Sequence, residues 1–184
     1  MKQLNSILTL LALLALPLSV TAAEPAKTMN PQVRMTTSMG VIDIELDAGK
    51  APKTVANFLG YVDKGFYNGT IFHRVIPGFM IQGGCPLTNG TGGPVFRYDD
   101  EFHPRAIFSG SGQLALANSG KDTDGSQFFI TLGPQRFLDF GYTLFGQVTK
   151  GFDVVDAIAT APRNGRVLPD APVAMTSVTI LDEG

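Results

Sequence analysis

The chain contains no tryptophan, one cysteine and two histidines among its 184 residues. A lone cysteine, Cys85, cannot form an internal disulfide, so the fold must rely on a packed core. We expect Cys85 to be a partly buried small apolar residue without a redox role. One cysteine and two histidines also provide too few soft ligands for a zinc site. We therefore expect neither a metal nor another cofactor.

The chain also lacks an excess of positive charge. It carries 14 lysine and arginine residues against 16 aspartate and glutamate residues, for a formal net charge of −2. The basic residues are scattered along the sequence, whereas proteins that bind nucleic acids gather them to displace counterions. We therefore expect no nucleic-acid partner.

Long apolar runs are confined to the N-terminus. Lys2 precedes an almost wholly aliphatic run over residues 7–18, and small residues follow at 20–23. The run is shorter than the roughly 20 residues that span a membrane, and the pattern is typical of a secretory signal peptide. We predict a signal peptide over residues 1–23, a flexible arm over 24–31 and one folded domain over 32–184, free of the membrane after cleavage. An uncleaved anchor is the alternative.

The remaining chain has the periodicities of a mainly β protein with two helices. Apolar residues recur at helical spacing between residues 52 and 64 and again over 152–159. Alternating or short apolar runs predict about eight strands, at residues 33–37, 41–46, 72–76, 79–82, 113–117, 126–131, 143–148 and 173–181. An antiparallel sheet of that size loses its exposed edges by closing. We predict a closed eight-stranded antiparallel β-barrel capped by two α-helices.

The stretch over residues 72–84 places a cation among apolar side chains. A proline–glycine turn joins two short apolar runs, which predicts a hairpin with Arg74 on its first strand. Alternation sends Met80 and Gln82 to one face of the second strand, and the strand at 126–131 presents similar chemistry. A lone arginine here could pair with a carboxylate or lie at the surface. The alternative interpretation is that Arg74 belongs to a functional site.

Four motifs in order carry a resemblance to a known family. They are FHRVIPGFMIQGG at residues 72–84, NGTGG at 89–93, LAN at 116–118 and GSQFFI at 125–130. The chain from about residue 33 to 182 resembles the cyclophilins, the cyclosporin-binding class of peptidyl-prolyl cis–trans isomerases, or rotamases. Members of that family have an eight-stranded antiparallel barrel capped by two helices, in agreement with the strand count.

The resemblance implies the site residues. It places catalytic roles on Arg74, Gln82 and Asn118. It places substrate-binding roles on Phe79, Met80, Gly90, Ala117, Gln127, Phe129, Phe137, Leu138 and Tyr142.

Two of these positions depart from many eukaryotic members of the family. Phe137 stands where those members have tryptophan, and Tyr142 stands where they have histidine. Both residues are similar to those of the bacterial periplasmic branch. Because phenylalanine lacks the indole N–H, we expect cyclosporin to bind only weakly.

The reaction implied by the resemblance is rotation about an X-Pro peptide bond. The barrier is close to 20 kcal/mol because amide resonance must be broken, yet no bond to a heavy atom forms or breaks. We predict a monomeric periplasmic isomerase that assists folding of exported proteins by acting on proline-containing unfolded or partly folded polypeptides. The alternative is a non-catalytic chaperone that binds proline peptides in the same groove. Arg74 favours the enzyme, since a planar proline peptide needs no such donor.

Overall fold

The computed structural model describes residues 30–94, 97–163, 165 and 167–181. The predicted signal peptide, residues 1–23, and most of the predicted arm lie outside the described residues. The two described residues of that arm contact the strand Gly40–Leu46: the Asn30 Nδ2 group donates to Glu45 Oε1 at 2.9 Å, and the Leu46 N–H donates to the Pro31 carbonyl at 2.8 Å. In the described part of the chain, no helix is both long and apolar enough to cross a membrane.

Eight strands and two α-helices make up the described fold, which confirms the prediction of a mainly β chain with two helices. The strands are β1 Gln32–Thr37, β2 Gly40–Leu46, β3 Arg74–Ile76, β4 Met80–Gly83, β5 Ser111–Leu116, β6 Phe128–Leu132, β7 Leu144–Lys150 and β8 Met175–Leu181. The helices are α1 Pro52–Asp63 and α2 Phe152–Ala159, and a short 3₁₀ helix covers Arg136–Leu138.

The strands form one antiparallel sheet in the order β3-β4-β6-β5-β7-β2-β1-β8. The prediction of a closed barrel is wrong, because β3 and β8 end the sheet and do not pair along their lengths. The two edges do approach one another just before these strands, where Ile71 and Ala174 form an isolated antiparallel bridge. Beyond that bridge the Val75 N–H of β3 donates to the Val167 carbonyl of a loop, at 2.6 Å. A loop therefore occupies the edge that strand pairing would need.

The inner face of the curled sheet packs against α1. Pro52 begins this helix, where a proline is tolerated because the first N–H groups have no partner within the helix. Glu101 caps the same end, since its carboxylate oxygens accept from the backbone N–H groups of Lys53 (3.2 Å) and Thr54 (2.6 Å). Phe58 on the buried side of α1 contacts other buried rings of the core.

Strand alternation separates this core from a second apolar cluster on the outer face. Phe128 and Ile130 of β6 belong to the inner core, whereas Phe129 between them belongs to the outer cluster. Ile81 and Met80 of β4 divide in the same way. Two adjacent strands thus present apolar side chains outward as well as inward, and the outer cluster is where the candidate site lies.

Cys85 follows β4 and is fully buried, whereas the prediction was a partly buried residue. The Gly92 N–H donates to its Sγ atom at 3.3 Å. The cysteine therefore fills space beneath the glycine-rich loop, residues 89–93.

Candidate active site

Arg74 lies on the outer face of β3, directly opposite Gln82 of β4 in the strand register. Its Nη1 atom donates to Gln82 Oε1 at 3.3 Å, and the same nitrogen lies 3.9 Å from the Met80 sulfur. The guanidinium carbon lies 6.0 Å from the centroid of the Phe79 ring. The half-buried cation thus has a neutral amide as its hydrogen-bond acceptor here. It keeps donor capacity for a further acceptor, since guanidinium carries five N–H groups.

A row of side-chain amides continues from this cation. Gln82 Nε2 donates to Gln127 Oε1 at 3.0 Å, and Gln127 Nε2 donates to the carbonyls of Gly90 (2.9 Å) and Gly92 (2.7 Å). Each amide accepts on one side and donates on the other, so Arg74 and the glycine-rich loop together fix the orientation of both glutamines. Gln82 therefore presents a pre-set dipole beside the cation.

Gly84 explains why the two glutamines meet. Its φ is +78°, and a Cβ atom there would lie 2.5 Å from the Ser126 carbonyl oxygen, closer than real side chains allow. The Ser126 hydroxyl donates to the Gly84 carbonyl at 2.9 Å. This close approach brings the end of β4 against the residue that precedes Gln127.

Beside Arg74 the outer face contains a cavity of about 130 Å³, named the apolar cavity here after the Phe79, Met80, Phe129 and Leu138 side chains in its lining. For comparison, a cavity of roughly 150 Å³ in another protein holds one benzene ring. Phe129 forms its floor, with its ring edge-on to Tyr142 at 5.5 Å and stacked on buried Phe108 at 5.9 Å. Nine residues line this cavity: Arg74, Phe79, Met80, Gln82, Ala117, Asn118, Phe129, Leu138 and Tyr142.

A second, more polar cavity of about 300 Å³ adjoins the first, and the two share Gln82, Ala117 and Asn118. Together they make one groove along the outer face. Gly90 and Gln127 line this polar part of the groove. Its other lining residues are Thr91, Gly92, Gly93, Pro94, Arg97, Ser119, Thr123, Gly125 and Ser126.

The structure brings eleven of the twelve residues named by the sequence into the groove. Phe137 is the exception: it borders the apolar cavity without lining it, is 75% exposed, and its ring lies 5.7 Å from the Phe79 ring. Sequence reasoning missed Phe108, because nothing in a loop segment shows that its ring will support Phe129. It also missed Arg97, which reaches the groove by donating to the Thr123 carbonyl at 2.9 Å.

His73 precedes Arg74 and packs beneath the loop that carries Gly90, where a Cβ atom added to Gly90 would lie 3.2 Å from the His73 Nε2 atom. It is 8% exposed, and this burial lowers the pKa of its imidazole below the ordinary value. The ring is therefore neutral at pH 7.

A buried polar network holds two loops of the groove together. The Thr143 hydroxyl donates to Asp124 Oδ2 at 2.6 Å and accepts from the Glu101 N–H at 3.0 Å. Asn118 Nδ2 donates to the Gly141 carbonyl at 2.9 Å. Asp124 is fully buried, and this burial is the main cause that raises its pKa to about 6. Sequence reasoning missed Asp124, because an aspartate in a polar turn gives no sign that it will be buried.

Comparison with known proteins identifies the class to which this fold and groove belong. Residues 32–180 match the family model described as cyclophilin type peptidyl-prolyl cis-trans isomerase/CLD. Peptidyl-prolyl cis-trans isomerase-like 1 of Homo sapiens is 45% identical over 151 residues, 80% of this chain and 91% of that protein. A probable peptidyl-prolyl cis-trans isomerase A of Mycobacterium leprae is 43% identical over 168 residues, 82% of this chain and 92% of that protein.

Solved structures agree with this assignment. The crystal structure of a cyclophilin-type isomerase of Cryptosporidium parvum matches with a TM-score of 0.81 and 33% sequence identity, covering 84% of this chain and 99% of that one. Another structure of that protein, determined in the presence of the dipeptide Ala-Pro, matches with a TM-score of 0.80. The protein is an isomerase of X-Pro peptide bonds. Its chain belongs to the family of cyclophilin-type peptidyl-prolyl cis-trans isomerases.

Proposed function

We propose that the groove built on β3, β4 and β6 binds proline-containing polypeptides and that Arg74, Gln82 and Asn118 carry the isomerisation. The observation that carries this proposal is the Arg74 guanidinium, bonded to a neutral amide at the rim of a ring-sized apolar cavity. The related structure determined with Ala-Pro supports the class of ligand.

The proline ring enters the apolar cavity and is held by burial against four side chains, those of Phe79, Met80, Phe129 and Leu138. Burying apolar surface contributes about 25 cal/mol per Å², so a small ring gains a modest affinity that does not depend on the isomer. Binding of this kind positions the bond but does not lower the barrier, since only contacts made more strongly in the transition state accelerate the reaction.

Arg74 supplies a contact that is stronger in the twisted transition state than in the planar ground state. In the planar amide the proline nitrogen shares its lone pair with the carbonyl, and twisting the bond frees that pair to accept a hydrogen bond. In the twisted state an N–H of the Arg74 guanidinium donates to the proline nitrogen. Arginine suits this role because it stays charged and its planar head is held by Gln82, so little rearrangement is needed during the reaction.

Gln82 and Asn118 hold the peptide on the side that precedes the proline. Both line the apolar and the polar cavity, so they stand where the X-Pro bond crosses from one to the other. The Gln82 amide is fixed by Arg74 and Gln127, and Asn118 is anchored on Gly141. One side of the bond is thereby restrained while the other turns.

We infer further that the protein acts as a periplasmic monomer on exported polypeptides. Its support is the N-terminal pattern of Lys2, an aliphatic run and small residues, together with Phe137 and Tyr142, which are similar to the bacterial periplasmic branch. Proline isomerisation is slow enough to limit folding, so unfolded exported chains that contain proline are the substrates this compartment would offer.

If the protein is exported, its mature form should lack the N-terminal signal peptide. When the full chain is expressed in a Gram-negative host with a C-terminal tag, we expect the tagged protein in the periplasmic fraction, with a mass that lacks about 23 N-terminal residues. The matched control replaces Leu11 and Leu13 by arginine within the aliphatic run, which should retain the uncleaved chain in the cytoplasm. Uncleaved wild-type protein in the cytoplasmic fraction would contradict the export proposal, and uncleaved protein in the membrane fraction would identify an anchor.

We also propose that cyclosporin binds weakly because position 137 is a phenylalanine. Its exposed ring borders the cavity but carries no N–H donor, and a hydrogen bond contributes about 1 kcal/mol net. Replacing Phe137 by tryptophan should therefore tighten cyclosporin binding by about fivefold or more, measured by calorimetric titration. Equal affinities for wild type and Phe137→Trp would show that the missing indole does not limit binding.

A further inference from the structure

Phe108 lies behind the apolar cavity, in the loop that precedes β5, and is fully buried. Its ring stacks on the Phe129 ring, with 5.9 Å between the ring centroids and 17° between the ring planes. Phe129 in turn forms the floor of the cavity beside Arg74. Because a close-packed interior transmits strain, the position of the Phe108 ring determines where that floor lies.

The backbone of Phe108 holds a wall of the same cavity. Its N–H donates to the Asp139 carboxylate at 2.7 Å, and its carbonyl accepts from the Gln135 N–H at 2.9 Å. Gln135 and Asp139 flank the 3₁₀ helix Arg136–Leu138, so these two bonds hold both ends of the helix. Leu138 is the last residue of the helix and lines the cavity. Phe108 thus contacts the floor through its ring and the wall through its backbone.

The loop that carries Phe108 is itself fixed on the sheet. Gln113 of β5 donates through Nε2 to the Ile107 carbonyl at 2.8 Å and accepts through Oε1 from the Gly110 N–H at 2.9 Å. The Thr131 hydroxyl of β6 donates to the Gly110 carbonyl at 3.0 Å. The chain is therefore anchored on both sides of Phe108, and one of its anchors is the strand that supplies the cavity floor.

We infer that Phe108 is a positioning residue of the isomerase, which holds Phe129 and Leu138 in a fixed relation and so sets how the proline ring lies relative to Arg74. This inference rests on the proposed function of the groove. It assigns a role in the reaction to a side chain that touches neither the substrate nor the reacting atoms. Such a role has a large effect because a misplacement of about 1 Å can lower a rate by roughly a hundredfold.

The substitution Phe108→Leu tests the ring contact. Leucine keeps an apolar side chain and leaves the backbone bonds in place, but it is smaller and cannot stack on Phe129. We expect the isomerisation rate of a bound X-Pro peptide, measured by NMR exchange spectroscopy, to fall by about fivefold or more. The peptide affinity should stay within about threefold of wild type, because the side chains that line the cavity are unchanged.

Phe145→Leu is the matched control for this variant. Phe145 is equally buried, but its ring packs against Phe58 in the inner core. Both substitutions remove the same buried atoms, so both should lower the free energy of unfolding. If Phe108 only stabilises the fold, the two folded variants should isomerise the bound peptide at the same rate. We expect Phe145→Leu to keep the wild-type rate and Phe108→Leu to lose it.

Asp139 provides a second test that leaves the buried ring in place. Asp139→Ala removes the acceptor for the Phe108 N–H and releases one end of the 3₁₀ helix, whereas Asp139→Asn keeps an oxygen that accepts this bond. We expect Asp139→Ala to lower the bound-state rate by about threefold or more and Asp139→Asn to keep most of the wild-type rate.

Two results would overturn the inference while leaving the isomerase site intact. One is a wild-type rate in both Phe108→Leu and Asp139→Ala, and the other is an equal loss of rate in Phe108→Leu and Phe145→Leu. A wild type that binds the peptide without accelerating its exchange would instead overturn the proposed function of the groove.

Discussion

Replacement of Arg74 by alanine is expected to lower kcat/KM for an X-Pro peptide by at least about tenfold, or some 1.4 kcal/mol of transition-state stabilisation. The reason is that alanine removes the donor for the twisted amide nitrogen. The apolar cavity still holds the proline ring, because its burial depends on Phe79, Met80, Phe129 and Leu138. A protease-coupled or NMR exchange assay on a short peptide measures the loss.

Arg74→Lys is the informative companion. Lysine keeps the positive charge but has no planar head to share between Gln82 and the substrate, so we expect an activity between those of wild type and Arg74→Ala. Arg105→Ala provides the matched control, since Arg105 is exposed and lines neither part of the groove. Full activity of Arg74→Ala would show that the arginine serves the structure rather than the reaction.

Replacement of Asp124 by asparagine is expected to stabilise the protein at pH 7.5, even though Asp124 is fully buried and hydrogen-bonded. Burial raises the pKa of its carboxyl from 3.8 to about 6. The protonated Asp124 carboxyl therefore makes its full contribution to stability below pH 4, and this contribution is lost as the pH rises through 6. Above that pH the folded protein holds a buried charge at a cost on the order of 3 kcal/mol. Asparagine has the same shape, carries no charge and still accepts from the Thr143 hydroxyl.

Urea unfolding at two pH values tests the predicted direction of the change in unfolding free energy. We expect the advantage of Asp124→Asn in unfolding free energy to fall by about half between pH 7.5 and pH 5, where the wild-type carboxyl is mostly protonated in the folded state. Asp122→Asn makes the same change at an exposed neighbour and should differ little from wild type at either pH. A variant less stable than wild type at pH 7.5 would mean that the carboxylate contributes more through its network than burial costs.

Local sequence pattern correctly predicted which side chains share a face of a strand. Alternation on β6 separates Phe128, in the core, from Phe129, at the cavity, and alternation on β4 does the same for Ile81 and Met80. Apolar spacing predicted both helices, and Pro52 marks the start of the first. The motifs that carry the family resemblance contain seven of the nine residues that line the apolar cavity. Their assigned roles stay predictions until the variants are measured.

The features that the sequence could not provide depend on contacts between distant segments. Closure of the sheet failed as a prediction because β3 is only three residues long and the loop at Val167 bonds to its outer edge. The polar cavity arises where the glycine-rich loop meets the turn at Thr123, and neither segment alone shows this. Likewise, the buried Asp124 is linked to a distant segment, because Thr143 donates to its carboxylate and accepts from the Glu101 N–H. Short polar segments carry no periodicity that would reveal such contacts.

The central claim is that Arg74 acts on the twisted amide and not on the bound planar peptide. The most direct test measures binding and exchange together: NMR titration gives the affinity of an X-Pro peptide, and exchange spectroscopy on the same sample gives the isomerisation rate in the bound state. For Arg74→Ala we predict an affinity within about threefold of wild type and a bound-state rate at least about tenfold lower. An affinity that falls tenfold with an unchanged bound-state rate would contradict the claim, because Arg74 would then serve binding alone.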